Sequence, residues 1–229
     1  MKVKWIGLMG VVLLATQVSA AENIVLKSQK DKLSYSIGIN VGKNMKQLAT
    51  EIDSEHFMKG FKDAFSGAKP MLSEEEMQSV LAAFQKEMVA KQAEKMKAIG
   101  EKNKKEGEAF LAANKKKEGV KTFPSGLQCK IIKEGAGKNP KATDKVSCQY
   151  EGTLIDGTVF DSSYKRGEPT TFPVNGVIPG WTEALQKMKV GSKWQLFVPS
   201  KLAYGERGAG PQIGPNAVLI FTVELVSIL

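Results

Sequence analysis

Histidine and cysteine, the side chains most used for nucleophilic and zinc chemistry, are scarce in this chain of 229 residues. His56 is the only histidine, which excludes histidine-based triads and multi-histidine zinc sites. Cys129 and Cys148 are the only cysteines; they stand on separate strand-like runs and form no Cys-x-x-Cys spacing. They either pair or stay buried as free thiols. Trp181 follows Pro179-Gly180 and Tyr204 precedes Gly205, loop signals at which a large side chain reaches solvent.

The texture around these residues is β-rich. From Thr122 onward, short alternating runs are punctuated by Gly and Pro, with candidate strands at 127–133, 145–154, 159–161, 171–173, 193–199 and 218–228. One helix is predicted there, from Trp181 to Met188, stopped by Gly191.

The first half of the chain reads as helix. Leu33, Ile37, Val41, Met45 and Leu48 recur at helical spacing after Ser28, and Ser34, Gly38 and Gly42 form a row of small residues at steps of four. Each interior glycine costs about 1 kcal/mol against Ala, so the row implies close approach of a partner, either within the chain or on a second subunit. A second helix opens at Asp53-Ser54, carries Phe57, Phe61 and Phe65 as an expected core stripe, and stops at Gly67. Two short helices bury too little surface to stand alone, a physical argument for an obligate partner. Ser73-x-x-Glu76 has the form of a capping box opening a long helix. Met77, Leu81, Phe84 and Met88 form its early apolar stripe; residues 91–108 are polar around most of the circumference, as expected of a helix bridging solvent between folded bodies. Gly100 and Gly107 are the expected bending points.

Hydrophobic content of 42% and charged content of 25% exclude wholesale disorder. The formal charge of +9 concentrates between Lys91 and Lys121, which hold ten Lys against five Glu. That run lacks interleaved aromatics and any nucleic-acid motif, so it reads as a solvated helix face; no nucleic-acid partner is expected, and membrane contact is at most peripheral. Lys2 and Lys4, the apolar run from Ile6 to Ala15 and the small residues Val18-Ser19-Ala20 form an export signal, with cleavage expected near Ala21.

Five strings then carry a resemblance: Tyr150-Glu-Gly; Asp156-Gly-Thr-Val-Phe160-Asp161-Ser-Ser; Val177-Ile178-Pro-Gly180-Trp181; Ala203-Tyr204-Gly205; and Ile213-Gly-Pro215-Asn216 leading to Leu219-Ile220-Phe221. In this order the segment resembles the FK506-binding proteins. The whole layout resembles the macrophage infectivity potentiator group of bacterial surface or periplasmic isomerases. The resemblance implies an α+β chain: signal peptide (1–20), helical dimerisation module (21–72), long connecting helix (73–121), and an antiparallel β-sheet wrapped around a short helix (122–229). It implies peptidyl-prolyl cis/trans isomerase activity on X-Pro segments of polypeptide clients, in the periplasm or at the surface of a Gram-negative bacterium. It also implies a homodimer through the N-terminal helices and inhibition by FK506- or rapamycin-type macrolides. In that sheet Cys129 and Cys148 fall on strands that are not neighbours, so both are expected free.

The barrier to X–Pro rotation is amide resonance, about 18–20 kcal/mol. Lowering it requires neither metal nor cofactor, only surroundings that favour the twisted amide over the planar one. The resemblance implies Trp181 as the floor of an apolar pocket, with Phe160, Asp161 and Tyr204 as the other catalytic residues. Tyr150, Val177, Ile178, Ile213 and Phe221 are implied as substrate-binding residues. The Tyr204 hydroxyl and the Ile178 N–H would meet client carbonyls. Thr170 and Gln212 depart from the family pattern, implying a thinner wall and an altered rim. A dimeric chaperone or surface-binding protein with little need for catalysis is the competing reading.

Overall fold

The computed structural model describes residues 25–47 and 52–229. The proposed export signal and Leu48 lie outside the described residues. The chain divides into two compact units between Ser73 and Glu74.

The first unit holds α1 (Gln29–Gln47) and α2 (Ser54–Ser66). Ser28 Oγ accepts from the Asp31 amide at 3.1 Å and the Asp31 carboxylate accepts from the Ser28 amide at 2.8 Å, a reciprocal pair that satisfies two amide donors at the helix start. Asp53 caps α2 through the His56 amide, and Gly67 ends it in the left-handed region at φ 70°. The aromatic stripe of α2 differs from expectation. Phe61 and Phe65 stack on each other at 5.8 Å yet stay exposed, Phe65 at 85%, because two amphipathic helices present more apolar face than they cover.

The second unit opens with α3 (Glu74–Asn114), 41 residues without a break, about 60 Å long. Glu87 and Lys91 form the expected i,i+4 pair at 2.6 Å. Gly100 and Gly107 are not hinges; both are buried. A Cβ on Gly107 would lie 2.6 Å from Val218 Cγ2, and one on Gly100 would lie 3.1 Å from Pro215 Cβ. The glycines let α3 lie directly on the sheet domain. Asn114 closes the contact, donating to Gln128 Oε1 at 3.0 Å while Gln128 Nε2 donates to the Leu111 carbonyl at 2.9 Å. Phe110 packs on Phe197 with ring centres 6.0 Å apart. The C-terminal half of this polar helix is therefore docked rather than bridging solvent.

The antiparallel sheet runs in the order β1 (Val120–Thr122), β2 (Gln128–Lys133), β6 (Lys193–Val198), β7 (Leu219–Ile228), β3 (Lys145–Leu154), β4 (Val159–Ser162), with β5 (Thr170–Pro173) also on β3. Strand β7 alternates, with Leu219, Phe221, Val223 and Leu225 buried and the residues between them less so. This apolar face closes over α5 (Pro179–Leu185), whose Trp181, Ala184 and Leu185 complete the core with Met188. The short helix α4 (Ser163–Arg166) follows β4. Strands β6 and β7 separate Cys129 on β2 from Cys148 on β3, about 14 Å at ordinary strand spacing, so both thiols stay free and buried. Burial pushes the Cys148 thiol up to about 12, which leaves it inert as a nucleophile.

Candidate active site

A hollow of about 440 Å³ opens where α5 meets the concave face of the sheet, within the size range of small-ligand sites. Trp181, 3% exposed, forms its base at the start of α5, held there by Pro179 at the first turn and by the backbone bond from Trp181 N to Ile178 O at 2.9 Å. Three rings meet the indole edge to face: Tyr150 at 5.2 Å, Phe221 at 5.3 Å and Phe172 at 5.6 Å. Phe160 in turn packs on Phe221 at 5.5 Å. Gly152, paired across the sheet with Phe221, makes this possible: a Cβ there would lie 2.6 Å from the Phe160 ring and 2.9 Å from Phe221.

Val177 and Ile178, in the turn before α5, line the rim with Tyr204 and Asp161. Eight of the nine residues expected at the site thus surround one hollow. Ile213 is the exception. It is buried in the core and borders a different hollow, between the 210–218 segment and α3, together with Gln212.

Phe172, Gly176 and Arg166 were not anticipated. Phe172 projects into the hollow two residues after Thr170 and supplies the wall that Thr170 lacks. The alternation of β5, with 170 and 172 on one face, carries that signal. Arg166 ends α4 and brings its guanidinium to three groups: Asp161 Oδ1 at 2.5 Å, the Tyr150 hydroxyl at 2.8 Å and Thr170 Oγ1 at 3.2 Å. The Tyr150 hydroxyl also donates to Asp161 Oδ2. One arginine in the Lys165-Arg166 pair that ends α4 gives no sequence cue to this role.

The network sets two protonation states. Burial pushes the Asp161 carboxyl up, but hydrogen bonds from Tyr150 and Arg166 and the Arg166 charge outweigh it, leaving the group below the usual carboxylate range. Burial and the Asp161 carboxylate both push the Tyr150 phenol above its ordinary value. At neutral pH the hollow therefore holds a carboxylate neutralised by a guanidinium, and a protonated phenol, against aromatic walls. Both Asp161 oxygens are engaged, so it is poorly placed to move a proton. Among the described residues no cluster of His, Cys, Asp or Glu could hold a metal ion. An apolar, aromatic-lined cleft with few polar groups suits binding a small apolar ring and changing the environment of an adjoining amide.

Residues 136–226 match the family model described as FKBP-type peptidyl-prolyl cis-trans isomerase, and residues 30–131 match that of the domain amino-terminal to it. The "Outer membrane protein MIP" of Legionella longbeachae is 50% identical over 228 residues, covering 100% of this chain and 97% of that protein. The chain belongs to the FKBP-type peptidyl-prolyl isomerase family. The "Peptidyl-prolyl cis-trans isomerase Mip" of Coxiella burnetii is 48% identical, over 94% of this chain and 93% of its own length. The crystal structure of FkpA from Escherichia coli superposes with a TM-score of 0.68 at 37% identity, covering 89% of this chain and 98% of that one. The α+β architecture, a helical N-terminal part and an antiparallel FKBP sheet around α5, is thereby shared across nearly the full length, and the activity of this FKBP-type chain is prolyl isomerisation.

Proposed function

We propose that this isomerase works on X-Pro segments of exported proteins as a dimeric envelope protein, with the Trp181 hollow as its catalytic site. The convergence of Tyr150, Phe172 and Phe221 on the Trp181 indole carries the reading. A prolyl ring on that base brings its amide to the rim between Tyr204 and Ile178. Water stabilises the planar, charge-separated amide, so transfer to an aromatic hollow raises the ground state relative to the twisted form. The Tyr204 hydroxyl and Ile178 N–H accept the role of donors to client carbonyls. Asp161, held by Tyr150 and Arg166, orients the polar edge without transferring a proton. FK506- and rapamycin-type macrolides present a comparable apolar ring beside carbonyls and occupy the same hollow.

The decisive measurement is isomerisation of a short peptide with one X-Pro bond by the full chain. We expect kcat/KM to be flat between about pH 6 and 8, since Asp161 stays ionised and Tyr150 protonated throughout. The sign follows from the depressed Asp161 carboxyl. Its contribution to stability is complete above the unfolded-state carboxylate range and is lost as pH falls through the lower folded value. Tyr204→Phe should reduce kcat/KM about tenfold. Full-chain suppression of client aggregation without peptide turnover would instead favour a chaperone.

Dimerisation rests on the first unit. Leu33, Ile37 and Val41 of α1 are exposed, and a Cβ at Gly38 or Gly42 would meet nothing within 4 Å, so the small-residue row has no partner among the described residues of one chain. A second copy supplies it. Gly38→Leu should halve the sedimentation mass while leaving peptide turnover intact; an unchanged mass removes α1 from the interface. Export agrees with the signal pattern of the first twenty residues and with the outer-membrane naming of the Legionella relative. No described helix is long and apolar enough to cross a membrane.

A further inference from the structure

Tyr204 is carried on the long connection between β6 and β7, not on a strand. It sits between two short 3-10 turns, Ser200–Leu202 and Gly205–Arg207, with a backbone of φ −107° and ψ 0°. Its hydroxyl has no hydrogen-bond partner among the described residues and the residue is 42% exposed, so no polar side-chain contact fixes the ring and the backbone of the loop has a large share in placing it. The loop after it is closed at its neck by the bond from the Asn216 amide to the Gly205 carbonyl at 2.8 Å, and nearer its tip by the paired backbone bonds between Ala209 and Ile213. Asn216 makes that bond from the left-handed region, φ 58°, which Asn tolerates better than most residues.

The same neck is fastened to α3. Asn103 Nδ2 donates to the Pro215 carbonyl at 2.8 Å, and Asn216 Nδ2 reaches the Gly100 carbonyl at 3.4 Å. Gly100 leaves room for the Pro215 ring, and a Cβ on Gly214 would lie 3.1 Å from both Asn103 and Ile99. From α3 to Tyr204 the path is thus Asn103, Pro215, Asn216, Gly205, each step a short bond or a covalent neighbour.

We infer that α3 is a strut of the active site and that Asn103 and Asn216 are positioning residues that set how Tyr204 meets the client carbonyl. The inference rests on the reading of Tyr204 as a carbonyl donor. Displacing a binding group by about 1 Å is enough to cost up to about 10²-fold, and a donor used in both ground and transition states shows its loss in KM rather than kcat.

The test is a double-mutant cycle on the full chain, reading kcat and KM for an X-Pro peptide. Asn103→Ala should raise KM about fivefold with kcat changed less than about twofold, and in the Tyr204→Phe background the KM effect should shrink below about twofold. Asn216→Gly keeps the positive φ and the Gly205 bond but loses the donor to Gly100, and should give the same pattern if Asn103→Ala folds poorly. Loss of active protein alone lowers apparent kcat at constant KM. That outcome, an unchanged KM for both variants, or an equal KM rise in both backgrounds overturns the strut. Unchanged kinetics for Tyr204→Phe alone marks the separate failure of the carbonyl-donor reading, and any loss from Asn103→Ala then counts against the strut as well.

Discussion

Trp181→Ala removes the base of the hollow, and peptide isomerisation is expected to fall roughly 10²-fold. The indole is 3% exposed and carries three edge-to-face ring contacts, so no neighbouring side chain can take its place without repacking. The same substitution is expected to destabilise the sheet domain by about 3–5 kcal/mol, the range for large aromatic truncations in cores. A domain of ordinary stability survives that loss, so activity and folding separate if kinetics are measured well below the unfolding midpoint. Trp181→Leu is the informative companion. It restores apolar volume and part of the stability but leaves a narrower, more mobile base, so turnover should recover less than the midpoint of chemical denaturation does. Full turnover in Trp181→Leu would mean that apolarity alone suffices and that the ring geometry is incidental.

Gly107→Leu is expected to have the largest effect among substitutions outside the hollow. A Cβ at this buried position would lie 2.6 Å from a methyl of Val218, a β-branched residue whose own rotamer is restricted. Overpacking of this kind costs about 1–3 kcal/mol, and the gain in helix propensity over glycine, about 1 kcal/mol, does not offset the upper part of that range. Because Val218 stands at the entry to β7, the strain falls on the strand that carries Phe221 into the hollow. We expect a lower denaturation midpoint with an intact helical circular-dichroism signal, since α3 can lift from the sheet without unwinding. An unchanged midpoint would show that α3 is not pressed against the sheet at this turn.

Much of the fold is legible in local pattern because its causes are local. The alternation of apolar residues in β7, the opening of α1 after Ser28, and the stop at Gly67 follow from strand period, side-chain reach and left-handed backbone. The ordered strings from Tyr150 to Phe221 were enough to point to an FKBP-type site, and eight of its nine expected residues surround one hollow. Arg166 was hidden because one surface arginine has no periodicity; only the turn of α4 brings it onto Asp161 and Tyr150. Phe172 lies outside the motif strings, and only the alternation of β5 places it on the same face as Thr170.

What the sequence by itself determined, then, is the type of most segments and, through its motifs, the aromatic, apolar character of the hollow, while the separation of the two thiols came from the strand order. What only the tertiary structure decided is the meaning of positions whose partners lie a hundred residues away. Gly100 and Gly107 read locally as weak points of a solvated helix, since a glycine's local cost is all that spacing can reveal. In the folded chain their missing side chains are the space that Pro215 and Val218 occupy, and α3 becomes a support for the loop that carries Tyr204. Ile213, implied by the resemblance as a substrate-binding residue, lies in the core away from the Trp181 hollow, because the return of its loop toward α3 is set by packing that no local motif encodes.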